Sequence, residues 1–152
     1  MARIEDSIEI SAAPAVVFRF CHDVAHRAEW DDRVTRVKLL TPKPVRRGTL
    51  LRIDAGRSGK FLYSWDAEYS EFQFPQGSTL RVLDAAPSSP FKAGTEKWEF
   101  SPGGGGTRFT LVWEYNTRGF FARIADALGQ RAATRRAIRK SLANLKNLLE
   151  SG

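Results

Sequence analysis

The segment after Gly119 constrains the fold more than any other part of the chain. It is the only long stretch with helical periodicity, it contains no proline, and Gly129 is its one weak point. At about 100° per residue its apolar side chains form a single stripe. The stripe consists of Ile124, Leu128, Ile138, Leu142, Leu145 and Leu149. A long helix with one apolar stripe needs an apolar surface to cover.

The segments before this helix mostly alternate between apolar and polar residues, which is typical of strands. Strands are expected at residues 3–10, 34–40, 48–55, 60–72, 78–83, 95–100 and 107–116. Pro14 favours a first helical turn after the first strand, and residues 26–32 indicate another turn or two that carries Trp30. Residues 86–94 are expected to form a loop, and the glycine run 103–106 a hairpin turn.

This order of elements predicts an α+β fold. Consecutive strands joined by short turns are antiparallel neighbours, and the terminal helix is the only long element that can cover the apolar face of the sheet. We therefore expect a curved antiparallel sheet of about seven strands wrapped around the C-terminal helix, with two short helices between strands 1 and 2. One domain over residues 1–152 suffices, and nothing in the pattern fixes an oligomeric state.

The formal net charge of +7 is concentrated in the terminal helix. Residues 118–150 contain eight basic and two acidic residues, so the rest of the chain is close to neutral. Because no nucleic-acid-reading motif accompanies this charge, we expect no specific nucleic-acid partner. Weak contact between the basic helix and an anionic membrane surface stays open.

The sequence predicts a cytoplasmic protein. It has no apolar run long enough to span a membrane, and its N-terminus lacks the pattern of a secretory signal. Cys21 is the only cysteine, which excludes an internal disulfide and a cysteine-based zinc site.

Four features together resemble the START-like helix-grip superfamily. They are the opening strand, the Ala-Pro helix start, Trp30 within residues 26–32, and the terminal helix ending in residues 141–150. Within that superfamily the chain is most similar to the polyketide cyclase/dehydrase and lipid-transport (SRPBCC) group, over essentially its whole length. The resemblance implies a helix-grip fold with a cavity between the sheet and the C-terminal helix. It also implies a small hydrophobic ligand, such as a lipid, a quinone or a polyketide-like aromatic. The alternative is a polyketide cyclase or dehydratase that acts in the same cavity.

Aromatic side chains are the first candidate ligand-binding residues. They could line the cavity and stack on a planar ligand, or they could be ordinary core between sheet and helix. The set comprises Trp30, Tyr63, Trp65, Tyr69, Trp98, Phe109 and Trp113.

Two arginines of the terminal helix are the second candidates. Arg131 and Arg135 fall on its apolar stripe, beside Ile124 and Leu128, which are also predicted to face the cavity. A guanidinium aimed into an apolar interior needs a partner, which a ligand carboxylate, phenolate or enolate could provide. Alternatively, Gly129 breaks the helix and releases both arginines to solvent, or they pair with a sheet carboxylate such as Asp54 or Glu96.

No catalytic residues are predicted. His22 and His26 lie four residues apart with Asp23 between them, but a metallopeptidase helix needs glutamate there and a third ligand. We expect these histidines in surface or capping roles, and we expect no metal or cofactor. If the chain is an enzyme, ligand folding plus polarisation of a carbonyl by Tyr or Arg would carry the reaction.

Overall fold

A computed structural model of the chain describes residues 1–57 and 59–151. The strands are β1 Ala2–Ile10, β2 Val34–Leu39, β3 Leu50–Arg57, β4 Lys60–Gln73, β5 Gly77–Ala85, β6 Phe91–Gly103 and β7 Gly106–Thr117. After β1 the chain forms helix α1 (Pro14–His22), a 3₁₀ turn (Val24–His26) and helix α2 (Arg27–Trp30). After β7 it continues through helix α3 (Gly119–Ala125), a π-helical turn (Asp126–Gln130) and helix α4 (Arg131–Glu150).

The seven strands form one curled antiparallel sheet in the order β1-β7-β6-β5-β4-β3-β2. Every hydrogen-bonded pair of neighbours is antiparallel, which confirms the topology expected from the short connections. Helix α4 packs against β1 and α2, and its Ile138, Leu142 and Leu145 side chains are fully buried. The helix-grip architecture predicted from the sequence is confirmed.

The N-terminal part of the terminal helix differs from the prediction. Ile124 is 40% exposed and Leu128 is 82% exposed, so they do not share the buried stripe of α4. The π-helical turn between α3 and α4 accounts for the difference, since it winds more residues into a turn and shifts the register. Gly129 lies within this turn.

Strand β6 begins at Phe91, within the segment of residues 86–94 that the sequence predicted to be a loop. Phe91 is 5% exposed and already pairs with Thr117 of β7. Trp113 packs over the strand at Gly94, where an added Cβ would lie only 2.6 Å from the tryptophan ring. Tertiary packing of aromatic rings therefore extends the strand through a segment whose composition favours a loop.

The glycine-rich segment between β6 and β7 forms the expected hairpin turn. Gly104 and Gly105 adopt positive φ angles of 58° and 82°, as a tight turn requires.

Within the part of the chain that the structure describes, no helix is long and apolar enough to cross a bilayer.

Candidate functional site

A pocket lies between one end of the sheet and the start of α4. It has a volume of about 810 Å³, which includes the space at its open mouth. Strands β3, β4, β6 and β7 form one wall, and the π-helical turn with the first turns of α4 forms the other. The helix side contributes Asp126, Gln130, Thr134 and Ala137.

Five aromatic side chains line the sheet side of this pocket: Tyr63, Trp65, Phe91, Trp113 and Tyr115. The Phe91 ring meets Trp113 edge-on at 5.1 Å and Trp65 at 5.7 Å between centroids. Trp113 stacks on Tyr115 at 5.5 Å, because residues two apart on a strand share a face. The interlocked rings form a rigid apolar wall, which we call the aromatic wall.

Four charged side chains form a buried cluster beside the pocket, and all of them except Asp31 line it. Arg27 Nε donates to Asp31 Oδ2 at 2.8 Å, and Arg33 Nη1 donates to Glu96 Oε1 at 2.7 Å. Arg33 also donates to both oxygens of Asp31, at 3.0 Å each, and through Nη2 to Glu96 Oε2 at 3.2 Å. Trp98 Nε1 donates to Glu96 Oε2 at 2.8 Å. Two cations face two anions, so this charge cluster is neutral as a whole.

Electrostatics keeps Asp31 and Arg33 ionised. Burial alone would raise the pKa of Asp31, but the charges and hydrogen bonds of Arg33 and Arg27 outweigh burial and hold that pKa well below its usual range. Burial would likewise lower the pKa of Arg33, yet Asp31 and Glu96 raise it. Arg33 is also the most accessible member, with 18% of its side chain exposed against 4% for Arg27.

Tyr63 supplies a second polar group to the pocket. Burial raises the pKa of its phenol, and the charges of Arg33 and Arg57 offset this only in part. The phenol is therefore protonated at neutral pH, and its hydroxyl has no hydrogen-bond partner among residues 1–57 and 59–151. It is free to donate a hydrogen bond to a ligand.

Asp126 ties the π-helical turn to the sheet near the pocket mouth. Tyr115 Oη donates to Asp126 Oδ1 at 2.6 Å, and Arg131 donates to Asp126 Oδ2 through Nε at 2.9 Å and Nη2 at 2.8 Å. Burial and this hydrogen bond raise the pKa of Tyr115 to about 12. The partner of Arg131 is thus a helix carboxylate, and not a sheet carboxylate such as Asp54 or Glu96.

The structure separates the sequence-predicted site residues into three groups. Tyr63, Trp65 and Trp113 line the pocket. The other aromatic candidates are fully packed in the core and do not line it: Trp30, Tyr69, Trp98 and Phe109. The candidates of the terminal helix lie outside the pocket, with Arg131 bound to Asp126 and with Arg135, Ile124 and Leu128 exposed to solvent.

Sequence reasoning missed most of the charge cluster. The i, i+4 spacing of Arg27 and Asp31 on a short helix was one available signal. The alternation of side chains along β6 was a second signal. Glu96 shares a face with Trp98 and Phe100 and must point inward with them. The composition around Phe91 favours a loop, so no strand alternation indicates that its side chain points into the pocket.

The prediction of a surface or capping role for both histidines is wrong for His22. His22 is 7% exposed, and its Nδ1–H donates to the Phe18 carbonyl oxygen at 2.8 Å. Because that carbonyl can only accept, Nε2 accepts from the Ser78 hydroxyl at 2.7 Å in the neutral ring. Aromatic rings surround the pair, and neither residue lines the pocket, so it is part of the core. His26 is half-buried and bonds Glu29.

Stability is expected to fall as the pH is lowered because of His22. Burial lowers its pKa from 6.5 to about 4, so the folded state favours the neutral ring. The preference of the folded state for the neutral ring contributes fully to the free energy of unfolding above pH 6.5. This contribution of about 3 kcal/mol is lost as the pH falls from 6.5 towards 4. Urea unfolding of the wild type and of His22→Gln should therefore show a weaker pH dependence in the variant over this range.

His26→Gln is the matched control for this experiment, since 43% of the His26 side chain contacts solvent. Because the hydrogen bond to Glu29 raises the pKa of His26, protonation of His26 favours the folded state. His26→Gln should therefore lose at least as much stability as the wild type between neutral pH and pH 4, in contrast to His22→Gln. Equal pH dependence in wild type and His22→Gln would contradict the assignment.

Comparisons with known proteins place the chain among helix-grip proteins. A family model described as polyketide cyclase/dehydrase and lipid transport matches residues 1–150. No curated protein matches the chain. The protein TTHA0849 of Thermus thermophilus has the same fold, with a TM-score of 0.79 and 20% identity over 99% of this chain and 98% of that chain. The major latex-like protein 151 of Panax ginseng matches with a TM-score of 0.75 and 9% identity over 97% of each chain. The Zhui aromatase/cyclase of Streptomyces sp. R1128 matches with a TM-score of 0.72 and 14% identity over 99% of this chain and 98% of that chain. At such identities the likeness shows the fold alone.

Proposed function

The chain belongs to the polyketide cyclase/dehydrase and lipid transport family, and we propose that it binds a small, planar, largely apolar ligand with an uncharged oxygen at one end. One observation carries this proposal: the aromatic wall, which includes the Tyr63 hydroxyl, lines the same pocket as Arg33. The rings offer a flat surface for stacking, and the donors orient the polar end.

The uncharged end follows from the donors that remain. A guanidinium has five N–H groups, and four of those on Arg33 already point at Asp31 and Glu96. At the charge cluster one N–H of Nη1 is left, together with the Tyr63 hydroxyl, whereas Arg57, which also lines the pocket, is exposed to solvent. A ligand carboxylate would bring an unbalanced negative charge to a neutral cluster and would find no bidentate fork on Arg33. A carbonyl or hydroxyl oxygen suits two single donors.

A second candidate function is a cyclase or dehydratase reaction in the same pocket. Two donors aimed at one carbonyl oxygen would stabilise negative charge that develops there in an enolate-like transition state. Zhui, an aromatase/cyclase, has this fold. Both oxygens of the Asp126 carboxylate already accept hydrogen bonds, from Tyr115 and Arg131, so this carboxylate is not free to act as a general base.

Native mass spectrometry of gently purified protein tests the proposal and separates the two candidates. We expect a non-covalent adduct that is released on denaturation and whose fragments identify an aromatic or polycyclic compound. A carrier returns a supplied ligand unchanged, whereas a dehydratase returns it lighter by one water. An adduct consisting of a saturated lipid would contradict the planar ligand.

Removing the Tyr63 hydroxyl should weaken binding of an oxygen-bearing ring. With naphthol as the probe, Tyr63→Phe is expected to raise the dissociation constant about tenfold, the value of one hydrogen bond. Titration calorimetry measures the change. Naphthalene has the same ring without the oxygen and serves as the matched control, because its affinity should not respond to the substitution. Equal losses for both probes would mean that the hydroxyl does not orient the ligand.

A further inference from the structure

Helix α3 and the π-helical turn present an apolar face to solvent. No residue of α3 is buried, and Phe121 and Leu128 are 85% and 82% exposed. Phe120, Ile124 and Leu128 follow one another at intervals of four residues, so they lie along the same side of the helix. Phe121 adjoins Phe120, with 5.7 Å between ring centroids. We call these four residues the apolar tip.

The apolar tip borders the mouth of the pocket. Asp126 and Gln130 of the π-helical turn line the pocket on this side, and Leu62 of the β3–β4 hairpin lines it on the other. Phe61 and Leu62 are also exposed, by 60% and 52%. Large apolar side chains are therefore exposed on two elements that line the pocket, and exposed apolar side chains that group together mark interaction sites.

The charges around the apolar tip are positive. Arg123 and Arg135 are exposed on the helical side, and Arg57 and Lys60 are exposed on the hairpin. The only acidic residue between Arg118 and Leu149 is Asp126, which is buried and neutralised by Arg131. This surface therefore attracts anions while its aromatic side chains seek an apolar medium.

We infer that the pocket mouth docks on the surface of an anionic lipid bilayer, with Phe120, Phe121 and Leu128 inserted at the level of the headgroups. Aromatic and aliphatic side chains flanked by arginines fit this interface, where lipid phosphates pair with the guanidinium groups. A second copy of the chain is a poor occupant, because a symmetric contact through the same face would bring the arginines of both copies together. The inference concerns the outer surface and does not depend on the ligand in the pocket.

Vesicle co-sedimentation tests the docking. Wild type should bind vesicles of phosphatidylcholine containing about 30% phosphatidylglycerol at least tenfold more tightly than phosphatidylcholine alone. Raising NaCl from roughly 0.1 M to roughly 0.5 M should weaken the binding, since the shorter Debye length screens the arginines. The variant Phe120→Ala/Phe121→Ala/Leu128→Ala should lose at least about tenfold in partitioning, because it removes the inserted apolar area.

Phe74→Ala is the matched control. Phe74 is 47% exposed but follows the far end of β4, the end opposite to the hairpin at Lys60. Its removal should leave vesicle binding unchanged. In addition, Leu128→Cys carrying an environment-sensitive fluorophore should shift to shorter emission wavelengths on anionic vesicles. Cys21 is 2% exposed, so the label attaches to the introduced thiol.

Three outcomes would overturn the inference. One is no binding of the wild type to anionic vesicles, and another is equal binding by the wild type and the triple variant. The third is a wild-type dimer in solution that the triple variant converts to a monomer, which would assign the face to a contact between copies. Naphthol titration of the triple variant in solution should match wild type, so a failure of the proposed ligand function is seen separately.

Discussion

Asp31→Ala is expected to lower the free energy of unfolding by about 3–5 kcal/mol, the usual cost of breaking a buried ion pair. Asp31 is fully buried and accepts hydrogen bonds from both Arg27 and Arg33. Its removal leaves the carboxylate of Glu96 alone to neutralise two guanidinium groups. One of these contacts is weak, since Arg27 Nη2 lies 3.5 Å from Glu96 Oε2. Urea unfolding at neutral pH measures the loss.

Asp66→Ala is the matched control for Asp31→Ala. Asp66 pairs with Arg52 at 2.9 Å on the outer surface of the sheet, where both side chains contact solvent. Such a pair contributes less than about 1 kcal/mol. The double variant Asp31→Ala/Arg33→Met should recover part of the loss, because it removes one of the unbalanced cations. Equal effects of Asp31→Ala and Asp66→Ala would show that the charge cluster does not stabilise the fold.

Thr134→Trp is expected to abolish ligand binding and to leave the fold intact. Thr134 is half-buried on α4 and lines the pocket opposite the aromatic wall, and its hydroxyl donates to the Gln130 carbonyl oxygen of its own helix. An indole at this position would occupy the space that a planar ligand needs. We expect the dissociation constant for naphthol to rise by at least about 100-fold, since the ligand and the indole compete for the same apolar surface.

Ala132→Trp is the control for Thr134→Trp. Ala132 is exposed on the same helix and does not line the pocket. It adds the same side chain to solvent and should bind naphthol like the wild type. Loss of binding in both variants would point to a general effect on α4, and retained binding in both would place the ligand elsewhere.

The order of strands and helices could be predicted from the sequence because it depends on local periodicity. Alternation along the strands, Pro14 at the start of α1 and the unbroken helical period after Gly119 are all properties of neighbouring residues. The π-helical turn could not be predicted in this way. Gly129 signals a weak helix, but whether that weakness becomes a kink, a break or an extra residue in one turn depends on Asp126 and its partners in the sheet.

The alternation of apolar and polar residues does not predict which aromatic residues line the pocket. Trp65 and Tyr69 share one face of β4, yet they lie four residues apart, which is about 13 Å along a strand. Trp65 lies in the pocket, whereas Tyr69 packs in the core beside His22. Trp113 and Phe109 of β7 differ in the same way. Alternation predicts that a side chain points inward, but the position along the sheet decides between core and cavity.

The charge cluster shows the same limit for polar residues. The spacing of Arg27 and Asp31 is visible in the sequence, but Glu96 joins them from a strand more than sixty residues away. That pairing changes the prediction for the ligand. The two buried arginines that line the pocket, Arg27 and Arg33, are already neutralised, while Arg131 and Arg135, the predicted anchors for a charged ligand, lie outside the pocket.

Titration calorimetry of naphthol and naphthoate into the wild-type protein tests the central claim most directly. The two probes share one ring system and differ in the charge of their polar end. A neutral charge cluster beside the aromatic wall predicts saturable one-to-one binding of naphthol, at least tenfold weaker binding of naphthoate, and no binding of naphthol to Thr134→Trp. Tighter binding of naphthoate, or unchanged binding of naphthol to Thr134→Trp, would contradict it.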